Sequence, residues 1–307
     1  MNQTQRFTMA YLHPRYWLTW FGLFCLWSLV QLPYPVLTRI GAWAGRNSRR
    51  FLRRREDIAR QNIALCFPGL AACERDKLIA DNFISLGMAL VETGMAWFWS
   101  DRRLRRWFDV EGLHNLMAAQ RENRGVLVVG VHFMSLELGG RMMGLCKPMS
   151  AVYRRHNNGL LEWAQTRGRM RSNKKMIDRR HLKEIVNALK QGEAVWFAPD
   201  QDYGAKGSSF VPFFGVPRVA TTNGPFVISR LSNAAMLTIT LIRKPKGAGY
   251  RLIIEPELEG FPKEDGVEAA SWMNRVIERE IMRAPEQYLW IHRRFKTRPP
   301  GAASLYV

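Results

Sequence analysis

Cysteine is scarce in this 307-residue chain. Its four cysteines, Cys25, Cys66, Cys73 and Cys146, include no C-x-x-C pair and no grouping with histidine. That pattern suggests neither a zinc site nor a disulfide framework, and points to a reducing compartment. Negative charge is also short: 26 Asp+Glu stand against 46 Lys+Arg, a net charge of +20. Such an excess implies a habitual anionic partner, whether nucleic acid, phospholipid headgroups or a phosphorylated substrate. No G-x-S-x-G elbow occurs, which removes the usual serine-hydrolase signature. No internal repeat and no linker-like run divides residues 60–307. A hydrophobic content of 47% is ample for a core.

Against these absences stands one uncharged run, Trp17 to Leu32 (W-L-T-W-F-G-L-F-C-L-W-S-L-V-Q-L). Sixteen helical residues span about 24 Å, somewhat short of a ~30 Å bilayer core unless the flanks extend it. A single membrane-spanning anchor, a cleaved signal peptide and a helix lying in the interface are all compatible with the run. Arg39, Arg46, Arg49, Arg50, Arg53, Arg54 and Arg55 follow it, while only Arg6 and Arg15 precede it. By the positive-inside rule the C-terminal side stays in the cytoplasm. The expected organisation is a membrane anchor over 1–38, a basic juxtamembrane helix over 39–60 and a catalytic domain over 61–307. In one helix, Arg46, Arg49, Arg50 and Arg53 form a cationic stripe, suited to anionic inner-membrane lipid or simply to solvent.

From residue 125 the pattern alternates. A Val-rich run at 125–131 reads as a strand buried on both faces and 149–154 and 193–198 as further strands, with helices expected over 135–145, 160–170 and 182–190. Further helices are expected over 223–231 and 269–283, and strands over 235–242 and 250–255. Strands separated by helices of this length predict an α/β fold with a mainly parallel sheet flanked by helices.

Open α/β sheets gather ligands at the carboxyl ends of their strands, and His132 stands where the 125–131 strand should end. Glu137 follows five residues later. On one continuous helix the two would lie about 140° apart, so they can meet only if a turn intervenes, with Ser135 as N-cap. In that geometry a neutral imidazole takes a proton from an attacking hydroxyl, and the carboxylate holds the other ring nitrogen. A buried structural histidine is the alternative, because H-x-x-x-x-[D/E] alone is unspecific. The cations of Y-R-R-H-N-N (153–158) and R-G-R-M-R-S-N-K-K (167–175) could hold phosphates or an oxyanion, or lie in solvated loops. A-P-D-Q-D-Y-G supplies Asp200 and Asp202, at most a faint metal site. The C-terminal P-E-Q-Y-L-W-I-H-R-R-F-K-T-R-P-P interleaves aromatics and cations, as a base-stacking surface does, or as a segment closing the fold beside lipid would.

Across nearly its whole length the sequence resembles the membrane-anchored late acyltransferases of bacterial lipid A biosynthesis. The resemblance runs from L-H-P-R-Y-W-L-T-W and E-T-G-M-A-W-F-W through H-F-M-S-L-E-L, G-R-M-R-S-N-K and A-P-D-Q-D-Y-G to A-P-E-Q-Y-L-W-I-H-R-R-F-K-T-R-P. It implies transfer of a fatty acyl group from acyl carrier protein to a hydroxyl of a 3-hydroxyacyl chain on the bis-phosphorylated precursor Kdo2-lipid IVA. The family's His-Glu pair falls on His132 and Glu137. Arg154, Arg169, Arg171, Asn173, Lys174 and Asp200 fall in blocks thought to bind substrate or the oxyanion. No metal, cofactor or covalent acyl-enzyme is called for, and nucleic acid is not an expected partner. Gln201, with H-F-M-S-L-E-L-G-G and the ending A-S-L-Y-V, looks more like the palmitoleoyl-transferring branch than the lauroyl branch, where His is expected at that position. A glycerolipid acyltransferase would share the base and differ in acceptor, and a membrane-tethered nucleic-acid-binding protein would account for the charge without His132.

Overall fold

The computed structural model describes residues 7–121 and 124–306; Arg6 and Val307 lie outside them. Four helices come first: α1 (Trp17–Leu29), α2 (Tyr34–Ser48), α3 (Arg53–Cys66) and α4 (Ala72–Phe98), followed by the single turn α5 (Asp101–Leu104). Then strands and helices alternate: β1 (Phe108–Glu111), α6 (Leu113–Ala119), β2 (Val126–Val129), α7 (Leu136–Cys146), β3 (Ser150–Tyr153), α8 (Gly159–Arg169), β4 (Lys175–Asp178), α9 (Leu182–Lys190) and β5 (Ala194–Phe197). A hairpin, β6 (Ser208–Phe213) and β7 (Val216–Thr222), precedes α10 (Gly224–Ser232), β8 (Ala235–Arg243), β9 (Tyr250–Ile254) and α11 (Gly266–Ile281).

Seven strands form one sheet in the order β1-β9-β8-β2-β5-β3-β4. All neighbours are parallel except β8 and β9. β2 is central and all four of its residues are buried, which is why its sequence is an unbroken valine-rich run rather than an alternation. Helices cover both faces, so the α/β architecture expected from the sequence is the one observed. Four strands have no counterpart among those expected from the sequence. β1 and β4, at the two sheet edges, are only four residues long, and the β6/β7 hairpin has Pro212 and Pro217 among its apolar residues.

α4 is long and apolar enough to cross a membrane by length and composition, but half of its apolar window is buried inside the protein. It also carries Glu92, fully buried, whose carboxylate takes Arg243 Nε at 2.6 Å, Arg243 Nη2 at 3.0 Å and the Tyr250 hydroxyl at 2.8 Å. A buried, paired carboxylate of this kind belongs to a protein core. α2 crosses α4 at glycines: a Cβ on Gly87 would sit 2.1 Å from the Gly41 carbonyl oxygen and 2.3 Å from the Gly45 nitrogen.

The N-terminal helices differ from expectation. α1 has 13 residues, so it spans about 20 Å and falls short of a ~30 Å hydrocarbon core. One side of it packs on the body through Leu23 and through Trp20, whose ring lies 6.1 Å from that of Trp163. The other side leaves Leu18, Phe21 and Phe24 exposed, at 82%, 64% and 61%. After Pro33 the chain turns into α2, which runs through the expected 38/39 boundary. α2 ends at Ser48 and α3 starts at Arg53, so the expected 39–60 helix is two helices and the arginine stripe is broken. Arg49 bonds to Glu56 instead of continuing the stripe. The C-terminal aromatics Tyr288, Trp290 and Phe295 are buried in the core, where they close the fold rather than present their faces to solvent.

Candidate active site

β2 and β5 are parallel neighbours with Val129 opposite Phe197. His132 and Asp200 each lie three residues beyond those paired positions, so the two loops leave the same sheet edge side by side. Gly130 permits this, because a Cβ there would meet Trp196 Nε1 at 2.2 Å. Asp200 is fully buried and clamps His132 twice: one carboxylate oxygen accepts the His132 backbone N–H at 2.8 Å, the other lies 2.6 Å from Nδ1. A carboxylate can only accept, so Nδ1 carries the proton and Nε2 is left with a lone pair. Burial by itself pushes the Asp200 carboxyl up, but the charge of His132 and its hydrogen bonds reverse this and hold it below the usual carboxylate range. The C-terminal segment straps the loop: Leu289 N–H donates to the His132 carbonyl at 3.1 Å and Met134 N–H to the Gln287 carbonyl at 2.8 Å. The Tyr288 hydroxyl donates to the Asp200 carbonyl at 3.2 Å.

The contact expected between His132 and Glu137 does not form. Glu137 lies in the first turn of α7, and its carboxylate is taken by Arg169 at the end of α8, by Gln165 Nε2 at 3.2 Å and by Trp97 Nε1 at 3.3 Å. Burial opposes ionisation of Glu137, yet the Arg169 charge and hydrogen bonds outweigh it and depress its pKa. Arg169 shifts the opposite way: burial disfavours its charge and Glu137 restores it, for a net rise. Ser135 occupies the N-cap position of α7, but its hydroxyl donates to the Leu241 carbonyl at 3.2 Å instead of capping.

His132, Glu137, Arg154, Arg169 and Asn173 line one cavity. Its polar mouth continues into an apolar interior of Ala96, Met143, Met149, Leu241 and Leu252. Gly140 also lines it, with nothing within 4 Å of where a Cβ would be. Arg154 is exposed and in no ion pair among the described residues. Arg171 and Lys174 of the basic block lie outside the cavity lining, and Asn173 is tied to the end of α8. Arg171 Nη1 donates to the Trp97 carbonyl at 2.5 Å and lines a separate apolar groove beside α1. The Asn173 amide donates to the Arg169 carbonyl at 2.9 Å. Lys174 is exposed, and its backbone N–H donates to the Met149 carbonyl at 2.9 Å. Asp202 accepts Thr297 N–H at 2.7 Å and the Thr297 hydroxyl at 2.8 Å. Among the described residues no group of three His, Cys, Asp or Glu side chains could hold a metal ion.

An imidazole base with an oriented tautomer at the mouth of an apolar cavity suits proton abstraction from a hydroxyl borne by an apolar chain. The family profile described as bacterial lipid A biosynthesis acyltransferase matches residues 4–297. The chain belongs to this family. It is 69% identical over 302 residues to the lipid A biosynthesis palmitoleoyltransferase of Escherichia coli (strain K12), covering 98% of each chain. It is 51% identical over 306 residues to the lipid A biosynthesis lauroyltransferase of the same organism, covering 100% of each. The lipid A biosynthesis myristoyltransferase of that organism is more distant, at 26% over 306 residues, 98% of this chain and 93% of its own. Among solved structures, the 1-acyl-sn-glycerophosphate acyltransferase PlsC from Thermotoga maritima overlaps at a TM-score of 0.37 and 16% identity, over 78% of this chain and 98% of that one. That overlap is too loose to bear on the site.

Two features of this acyltransferase escaped the sequence reading. The resemblance puts Asp200 in a substrate block, while the signal for its true partner is that both it and His132 closely follow apolar strand runs. Trp97 lines the cavity and binds Glu137; it lies within the E-T-G-M-A-W-F-W stretch of the resemblance, which carries no role for it.

Proposed function

We propose that this enzyme transfers a palmitoleoyl group from acyl carrier protein to a hydroxyl of a 3-hydroxyacyl chain on the lipid A precursor Kdo2-lipid IVA. The observation that carries the reading is the Nδ1–Asp200 contact, which leaves His132 Nε2 as the base at the mouth of an apolar cavity. Nε2 takes the acceptor hydroxyl proton as its oxygen attacks the thioester carbonyl. The tetrahedral intermediate expels the carrier thiolate, which recovers the proton from the imidazolium. Asp200 stabilises the imidazolium meanwhile. Glu137 positions Arg169 and Trp97 at the cavity wall, and Arg154 is the exposed cation beside it. The 69% identity to a palmitoleoyltransferase supports the choice of chain.

The exposed apolar residues of α1, together with Trp43 and Phe51, support attachment to the cytoplasmic face of the inner membrane. α1 lies in one leaflet there, and the arginines after it meet anionic lipid. The test is mass spectrometry of lipid A from cells with and without the protein, paired with purified enzyme given palmitoleoyl and lauroyl carrier thioesters. A palmitoleoyl addition of the acceptor is expected. Preference for the lauroyl donor, or acylation of a glycerolipid acceptor alone, would overturn the proposal.

A further inference from the structure

A second polar cleft adjoins the 200–204 loop. It is lined by Arg55 of α3, by Asp202, Tyr203 and Gly204, and by His292, Arg293, Lys296 and Thr297 of the C-terminal segment. Three of these side chains are cations, and none of the three is in an ion pair among the described residues; Arg55 only donates to the Ile291 carbonyl at 3.3 Å. The one carboxylate of the cleft, Asp202, is already engaged by Thr297 and by Gly204 N–H at 2.8 Å. Two nitrogens of the lining residues, His292 Nε2 and Arg293 Nε, are buried without a hydrogen-bond partner. Buried polar groups are nearly always satisfied, so cations and unpaired ring and guanidinium nitrogens around one cleft call for an oxygen-rich anion.

The place of the cleft selects the source of that anion. The turn leading into α3 presents Phe51, 84% exposed, one helical turn before Arg55, with Arg53 and Arg54 exposed between them. Cations set beside an exposed apolar tip belong at the headgroup level of a membrane. The cleft is also coupled to the catalytic loop, since Asp202 is two residues from Asp200 and the C-terminal segment that carries His292 bonds to the His132 carbonyl through the Leu289 N–H. Burial pushes the His292 imidazole below its ordinary pKa, which keeps it from repelling the neighbouring imidazole of His132.

We infer that this cleft is a phosphate subsite that holds a phosphate ester on the sugar headgroup of the membrane-borne acceptor while its hydroxyacyl chain reaches His132. This rests on the function proposed above. The full chain in detergent micelles is assayed with a phosphorylated acceptor and with the same acceptor after phosphatase treatment, for the wild type and for the double variant Arg55→Gln/Lys296→Gln. Both side chains are exposed, so folding is checked by an unchanged melting temperature. Hydrogen bonds to charged groups predict that the variant loses about tenfold to a hundredfold of the wild-type preference for the phosphorylated acceptor, read as the ratio of acceptor KM values. An unchanged ratio, or a loss seen in the KM of the carrier thioester instead, overturns the inference. A separate arm needs no turnover: inorganic phosphate added to the wild type shifts the His292 ring resonances and fails to do so in the variant. If the wild type transfers no acyl group yet shows this shift, the phosphate subsite stands and the proposed reaction falls. If it transfers acyl groups and phosphate produces no shift, the subsite falls and the reaction stands.

Discussion

Replacing Asp200 with Asn separates the two carboxylates that could serve His132. The His132 backbone N–H, 2.8 Å from one carboxylate oxygen, requires an acceptor there, so the amide oxygen must take that place. The amide nitrogen then faces Nδ1 across the 2.6 Å contact and donates, which forces the ring proton onto Nε2. The base is in the wrong tautomer although no atom has moved. The equivalent change in a serine-protease triad lowers kcat about 10⁴-fold, equal to about 5 kcal/mol of transition-state stabilisation. A loss of about 10³- to 10⁴-fold in kcat, with acceptor KM nearly constant, is expected here. The assay follows carrier thiol release against pH, with melting temperature as the control for folding. Glu137→Gln also lowers activity, because Arg169 and Trp97 lose their anchor, but the acid limb of its pH profile keeps the wild-type position, whereas Asp200→Asn moves it to lower pH. If Asp200→Asn retains activity within tenfold while Glu137→Gln displaces the acid limb, the assignment of Asp200 as the partner of His132 is refuted.

Two further outcomes follow from the same geometry. The folded state holds the Asp200 and Glu137 carboxyls below their ordinary values. Their stabilisation is therefore complete above the unfolded pKa, about 4, and is lost as pH falls through the lower folded values, so thermal stability drops below about pH 4. In Glu137→Gln, which breaks the Arg169 pair at a cost of about 3 kcal/mol, melting at pH 7 is lower and its acid dependence flatter; an unaltered dependence contradicts this. Gly140→Leu places four carbons in open cavity space, and at ~0.8 kcal/mol per methylene displaced it should raise the ratio of 12-carbon to 16-carbon donor use at least tenfold in a competition assay. An unchanged ratio means that the acyl chain does not lie there.

Much of the architecture was legible because it is local. The helix over Leu182–Lys190 lies where its apolar spacing indicated, and β8 differs from expectation by one residue. Residues 126–129 could be read as a strand buried on both faces because burial on both sides of a sheet leaves no polar position to alternate with. Elements whose apolar residues are few, such as β1 and β4, offered no comparable pattern. At the N-terminus, an uninterrupted absence of charge over Trp17 to Leu32 is compatible with a span, a signal peptide or an interfacial helix, and the turn after Leu29 divides that stretch between a short helix and a bend, with Trp20 packed on Trp163.

For the site, the sequence by itself determined that His132 directly follows the apolar run 125–131, which reads as a buried strand from its Val-rich composition alone. It could not determine the partner. Along the chain Glu137 is the near carboxylate, five residues away, and Asp200 is distant by 68. Parallel pairing of β2 with β5 cancels that distance, because it sets residues with the same offset beyond paired strand ends beside one another. Strand order and register are properties of the assembled sheet and carry no periodicity that a single segment can display. The tertiary structure alone therefore assigned Asp200 to His132 and turned Glu137 toward Arg169.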